Sequence, residues 1–193
     1  MKVFTKAISI MTAALLMLTG CGSIQAPNGD DSAGEDESLE IGLCFDSFVI
    51  ERWEKDRDVF VDTATGLGAT VNVQNANGDV DKQIEQIKYL VDKGVDCLVI
   101  IPVDGNALLN VVYDAKAKGI AVVSYDRLIP KANTDLYISF DNKMVGEMLG
   151  NALVGEDINK VVMICGPLTD NNVPMVNEGF NSVMAKNDIE VLD

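Results

Sequence analysis

Histidine is absent from this 193-residue chain, which removes the commonest metal ligand and the side chain most used as a general base near neutral pH. Three signatures of nucleotide binding and hydrolysis are missing too. No G-x-G-x-x-G follows the first apolar strand, and neither G-x-x-x-x-G-K-[ST] nor G-x-S-x-G occurs. Aromatic residues make up only 6%, with a single tryptophan, Trp53. Positive charge is scarce: 15 Lys and Arg face 30 Asp and Glu, a formal net charge of −15. Such a balance argues against nucleic acid and anionic lipid surfaces as partners. Of the four cysteines, Cys44, Cys97 and Cys165 each lie in an apolar, strand-like run with no metal-type spacing. They read as small core residues rather than as disulfide partners or metal ligands. What the chain does have is an apolar fraction of 48%, ample for a core.

The ends of the pattern are unequal. Residues 1–20 read as a processing signal: Lys2 and Lys6 precede the apolar run Ala7–Leu18, which is too short for a comfortable membrane span. The run ends in Leu18-Thr19-Gly20-Cys21, which is similar to a bacterial lipobox. That similarity implies cleavage before Cys21, a lipid on its sulfur, and a membrane anchor made of acyl chains with the domain outside the cytoplasmic membrane; an ordinary secretory signal is the other reading. Residues 21–39 are small, polar or acidic with no apolar periodicity, the composition of a solvated tether.

From residue 40 strands and helices alternate. Glu40–Phe45 reads as a strand and Glu51–Leu67 as a helix closed by Gly68. Ala69–Gln74 alternates as a more exposed strand, and Val80–Lys93 is a helix capped by Asp79 and ended by Gly94. Val95–Ile101 is the most apolar strand and therefore the central one. A third helix is expected over Asp104–Lys118. The strand beginning at Ile120 runs into Asp126-Arg127, and Leu136–Phe140, Asn142–Leu153, Lys160–Cys165, a helix to about Lys186 and Ile189–Leu192 complete the pattern. Connections this short imply right-handed crossovers and a doubly wound parallel α/β sheet. Residues 40–140 would form one lobe. Residues 141–193 would begin a second that remains incomplete, with apolar surface and strand edges left open.

Polar tips gather where the strands end. Strand one ends at Asp46, and its loop delivers Arg52 and Trp53. The strand from Ile120 supplies Asp126 and Arg127, and a later loop supplies Asp170, Asn171 and Asn172. In open parallel sheets ligands bind outside these strand ends. Carboxylates beside guanidiniums, amides and an indole suit a neutral polyol, with paired bonds to hydroxyls and an apolar plate under the ring. Each residue also has a plainer reading. Asp126 and Arg127 can cap and pair locally, and Arg52 can pair with Glu51 or Asp56 on a solvated face. Trp53 can be helix core, and Asp170–Asn172 can cap the helix that follows. Asp141-Asn142 reads as a cap.

The blocks DSFVIERWEKDRD (Asp46–Asp58), VDCLVIIP (95–102), SYDR (124–127), YISFDN (Tyr137–Asn142) and DNN (Asp170–Asn172) resemble the pentose- and hexose-binding group of periplasmic-type binding proteins of bacterial ABC importers. The resemblance runs from about residue 40 to the end. It implies a type I periplasmic-binding-protein fold of two doubly wound lobes joined by three hinge crossings, the first at Phe140-Asp141. It further implies a D-xylose-like monosaccharide bound by Arg52, Asp126, Arg127, Asp170 and Asn172 with Trp53 stacked on it. No catalysis and no cofactor are implied. The implied partners are the permease subunits of an importer or, alternatively, a membrane histidine kinase that senses the sugar; an enzyme and a DNA-binding repressor of the same fold are the remaining readings. Family members continue for well over a hundred residues further, so the chain reads as a fragment or as one partner of two. On its own it is expected to bind sugar weakly or not at all.

Overall fold

Four apolar residues, Cys97–Ile100, form the middle strand of the molecule and set its plan. The computed structural model describes residues 38–192; the expected signal, Cys21 and nearly all of the tether lie outside the described residues. In chain order the elements are β1 (Glu40–Phe45), α1 (Glu51–Gly66), β2 (Thr70–Asn75), α2 (Val80–Lys93), β3 (Cys97–Ile100), α3 (Leu109–Ala117), β4 (Ala121–Tyr125), β5 (Leu136–Ile138), α4 (Asn142–Asn151), β6 (Lys160–Val162), α5 (Asn172–Lys186) and β7 (Glu190–Leu192). The first five strands make one sheet in the order β2-β1-β3-β4-β5, parallel throughout. The most apolar strand is central and the alternating β2 is an edge, as burial of both faces requires.

Two apolar layers sandwich this sheet. On one side Ile87, Leu90, Leu98, Ile100, Val112 and Val122 pack with α2 and α3. On the other, Leu43, Phe45, Val99 and Ile101 pack with Trp53 of α1. Asp79 caps α2, its carboxylate accepting from Lys82 N at 3.0 Å, and Gly94 closes the helix in the left-handed region at φ 82°. Asp79→Ala is expected to lower unfolding free energy by about 1 kcal/mol, read from the urea midpoint; an unchanged midpoint would deny the cap its role.

The third helix starts later than the sequence pattern suggests. Residues 105–108 are turns, and Asp104 Oδ1 accepts from Asn106 N at 2.9 Å and Ala107 N at 3.4 Å at their start. Gly105 there lies so close to the 128–130 segment that a Cβ would sit 2.4 Å from Leu128 O. β5 is also short: after Ile138 the chain leaves the sheet, and Ser139 turns its hydroxyl to Asp126 O.

β6 and β7 pair in parallel as a separate two-stranded sheet. Phe180, Val183 and Met184 of α5 pack there on Val161, Met163, Ile189 and Val191. β6 ends at Val162, three residues short of the expected strand, and each of its three residues pairs with β7. Cys165 therefore lies past the strand end and is exposed rather than in the core; Cys97 is half-buried, and Cys44 alone of the three is buried. All three are free thiols, and full burial pushes the Cys44 thiol up to about 12.

α4 and α5 cross at glycines. A Cβ on Gly146 would lie 2.0 Å from Val176 O, and one on Gly179 would lie 2.0 Å from Lys143 O. The two backbones touch where side chains would hold them apart.

Candidate functional site

The carboxyl ends of β1 and β4 face the starts of α1, α4 and α5, and this convergence places the polar tips together. Asp126 follows β4 with φ 64°, a conformation that costs most residues energy and that Asp tolerates better than most. The turn is held by Asp126 N donating to Ile138 O at 2.7 Å. It is held further by donors on Asp126 O: Ser139 Oγ at 2.7 Å, Asn172 Nδ2 at 3.3 Å and Tyr137 OH at 3.4 Å. An over-determined strained residue at a strand end is a recurrent feature of ligand sites.

Two ionic clusters fill the site. In the first, Arg52 Nη2 bonds to Asp126 Oδ2, and Arg52 Nε reaches Asp56 Oδ2 at 3.4 Å. Partial burial works against the Arg52 charge, but the bonded Asp126 carboxylate more than offsets it, so the guanidinium pKa lies above its ordinary value. Asp56 also accepts from Tyr125 OH at 2.9 Å; burial, with that carboxylate second, pushes the phenol up to about 12.

In the second cluster Arg127 Nη1 donates to Asp46 Oδ2 at 2.8 Å and to Pro102 O at 3.1 Å. Its Nε lies 2.8 Å from Asp170 Oδ2, an ionic contact in which the N–H is not aimed at the oxygen. These three side chains are only 11–15% exposed. Amides join the clusters: Asn172 Nδ2 donates to Asp126 Oδ1 at 3.0 Å, and Asn171 Oδ1 accepts from Leu128 N at 2.7 Å.

All six candidate residues, Arg52, Trp53, Asp126, Arg127, Asp170 and Asn172, thus lie in one connected neighbourhood. Arg52 makes both the local bond to Asp56 and the distant one to Asp126. Trp53 is 3% exposed and packs edge-on against Phe45 and Tyr125. The Arg52 guanidinium sits 4.2 Å from its ring centre. Trp53 Nε1 is buried without a hydrogen-bond partner among the described residues. Asp170 also caps the start of α5: its Oδ1 accepts from Asn172 N at 2.9 Å, while the adjoining Asn171 makes no side-chain cap bond.

Two members of the cluster have no place among those six. Asp46 closes the Arg127 pair, and its position at the end of strand one was the available signal. Asn142 is 8% exposed and donates to Asn172 Oδ1 at 3.0 Å and Ser139 Oγ at 3.2 Å. Its neighbour Asp141 does the capping, accepting from Met144 N at 2.9 Å.

A doubly wound parallel sheet with paired acids, guanidiniums and amides at its strand ends is the architecture of a small-molecule-binding lobe. The chain belongs to the periplasmic binding protein domain family, whose model matches residues 41–193. It is 44% identical over 172 residues to the D-xylose-binding periplasmic protein of Escherichia coli, covering 88% of this chain and 51% of that protein. It is 42% identical over 173 residues to the D-xylose-binding periplasmic protein of Haemophilus influenzae, covering 89% and 51%. Among solved structures, a carbohydrate transporter solute binding protein from Chloroflexus aurantiacus in complex with D-glucose superposes with a TM-score of 0.73 at 29% identity, over 80% of this chain and 48% of that one. The chain spans about half the length of the curated relatives it matches.

Proposed function

We propose that this chain carries the first part of the sugar site of an extracytoplasmic, ABC-importer solute-binding protein for D-xylose or a closely related monosaccharide. The observation that carries the reading is the pair of ionic clusters at the strand ends. Arg52–Asp126 and Asp46–Arg127–Asp170 gather fixed donors and acceptors at neighbouring strand ends, and sugar hydroxyls, which both donate and accept, can replace the bonds within each cluster. Identity above 40% to two D-xylose-binding proteins supports the choice of sugar.

Arg52 would leave the Trp53 face as the ring arrives, exchanging a cation–π contact for bonds to hydroxyls. Contacts made only in the closed arrangement would draw the 40–140 lobe and the following segment together around the sugar, a population shift without a covalent step. The closed form would dock on permease subunits, and lipid at Cys21 would tether it to the membrane.

The test is a titration of the chain with D-xylose followed by Trp53 fluorescence and by calorimetry. Expected is a weak saturable response on the order of millimolar, lost in Asp126→Asn. Tight, micromolar binding would contradict a half-site, and a saturable response retained unchanged in Asp126→Asn would contradict the sugar reading.

A further inference from the structure

Asn142 sits where the chain leaves the five-stranded sheet and enters α4, and it touches none of the charged tips. Its Nδ2 is nevertheless shared among Ser139 Oγ at 3.2 Å, Phe140 O at 3.3 Å and Asn172 Oδ1 at 3.0 Å. Two of these partners pass the contact on. Ser139 Oγ donates to Asp126 O at 2.7 Å. Asn172, with its amide oxygen engaged by Asn142, has only its Nδ2 left to turn toward Asp126, and it donates to both Asp126 O and Oδ1. An amide placed otherwise would present oxygen to oxygen there.

We propose that Asn142 is a positioning residue, which sets the orientation of the Asn172 amide and the Ser139 hydroxyl and through them fixes the Asp126 carboxylate in the site. The start of α4 is thereby tied to the acid that meets the ligand, so that any movement of the helix relative to the sheet is felt at Asp126. The sugar consequence of this rests on the reading given under the proposed function; the coupling itself does not.

The chain contains its own reporter. Trp53 is the only tryptophan, Arg52 lies over its ring, and Arg52 is bonded to Asp126. A disturbance of Asp126 therefore reaches the indole. Asn142→Asp is nearly isosteric and places a carboxylate in the first turn of α4, where the helix dipole favours it, but it sets oxygen against Asn172 Oδ1. Ser139→Ala removes a donor on Asp126 O at a half-buried position and serves where the first variant fails to fold. Asp79→Ala is the structural control: it weakens α2 at a cap that touches none of these groups.

Expected is a change in Trp53 emission beyond replicate scatter in N142D and S139A, none in D79A, and D-xylose affinity lowered about tenfold in N142D. Emission left at the wild-type value in both site variants, or changed equally in D79A, overturns the proposal. A wild-type response to D-xylose that Asp126→Asn retains unchanged, with the variant pattern intact, removes the sugar reading and leaves the coupling standing.

Discussion

Arg127→Met is expected to lower the unfolding free energy by about 3 kcal/mol at neutral pH. Arg127 ties together three segments: Asp46 at the end of β1, Pro102 O after β3, and Asp170 ahead of α5. Methionine fills much of the volume of the stem and removes the fork. Two carboxylates, 11% and 15% exposed, are then left without a cation, and a buried charge stripped of its partner costs far more than the pair contributed. Lysine in the same place should recover only part of the loss, since a single ammonium cannot serve acceptors on three sides. The triple variant R127M, D46N, D170N separates charge from packing. With every member neutral it should unfold close to the wild type, and R127M alone at an earlier urea midpoint. Coincident midpoints for R127M and wild type would mean that the cluster is solvated and contributes nothing.

The sheet was legible because its signals are local. The short apolar run Val95–Ile101 before Pro102 reads as a buried central strand and the alternation in Ala69–Gln74 as a more exposed one, and the strands form there over Cys97–Ile100 and Thr70–Asn75. Asp79 and Gly94 state the limits of α2 within a few residues of themselves. The strand-end tips were legible for the same reason: Asp126 and Arg127 break an apolar run abruptly.

What stayed hidden depends on partners far away in sequence. Asp141-Asn142 has the form of a helix cap, and Asp141 does cap; the tertiary role of Asn142 lies behind that local pattern, its partner Asn172 being 30 residues on. Cys165 belongs to an apolar run as convincing as that of Cys44. It lies past the end of β6 and is exposed, which no window around Cys165 reveals. The same holds for Trp53. Its spacing places it on the inner face of α1, while the guanidinium over its ring follows from where Asp126 stands.

Gly179→Ala should strongly disrupt the segment after residue 140, with a loss of about 3 kcal/mol, at the upper end of ordinary overpacking. Nothing in the sequence around Gly179 announces this, since glycine inside a helix is by itself a mild penalty against alanine. The reason lies across the crossing. The added Cβ would stand 2.0 Å from Lys143 O and 2.9 Å from Glu147 N, both backbone atoms of α4 that no rotamer change can move. The helices must part, and the same holds in mirror fashion for Gly146 against Val176 O and Phe180 N. Parting them shifts the start of α5, which carries Asn172 to Asp126 and follows Asp170 on Arg127, so the site should loosen with the helices. The apolar layers of the five-stranded sheet contain no residue of α4 or α5 and should keep their amide protection. Hydrogen exchange on G179A is therefore expected to show fast exchange across α4, α5, β6 and β7 with slow exchange retained in β1, β3 and β4. Gly66→Ala supplies the contrast: nothing lies within 4 Å of that Cβ, and alanine there should leave stability unchanged or raise it. Equal behaviour of G179A and G66A would show that α4 and α5 do not meet at their backbones, and the route from the helix crossing to Asn172 and Asp126 would go with it.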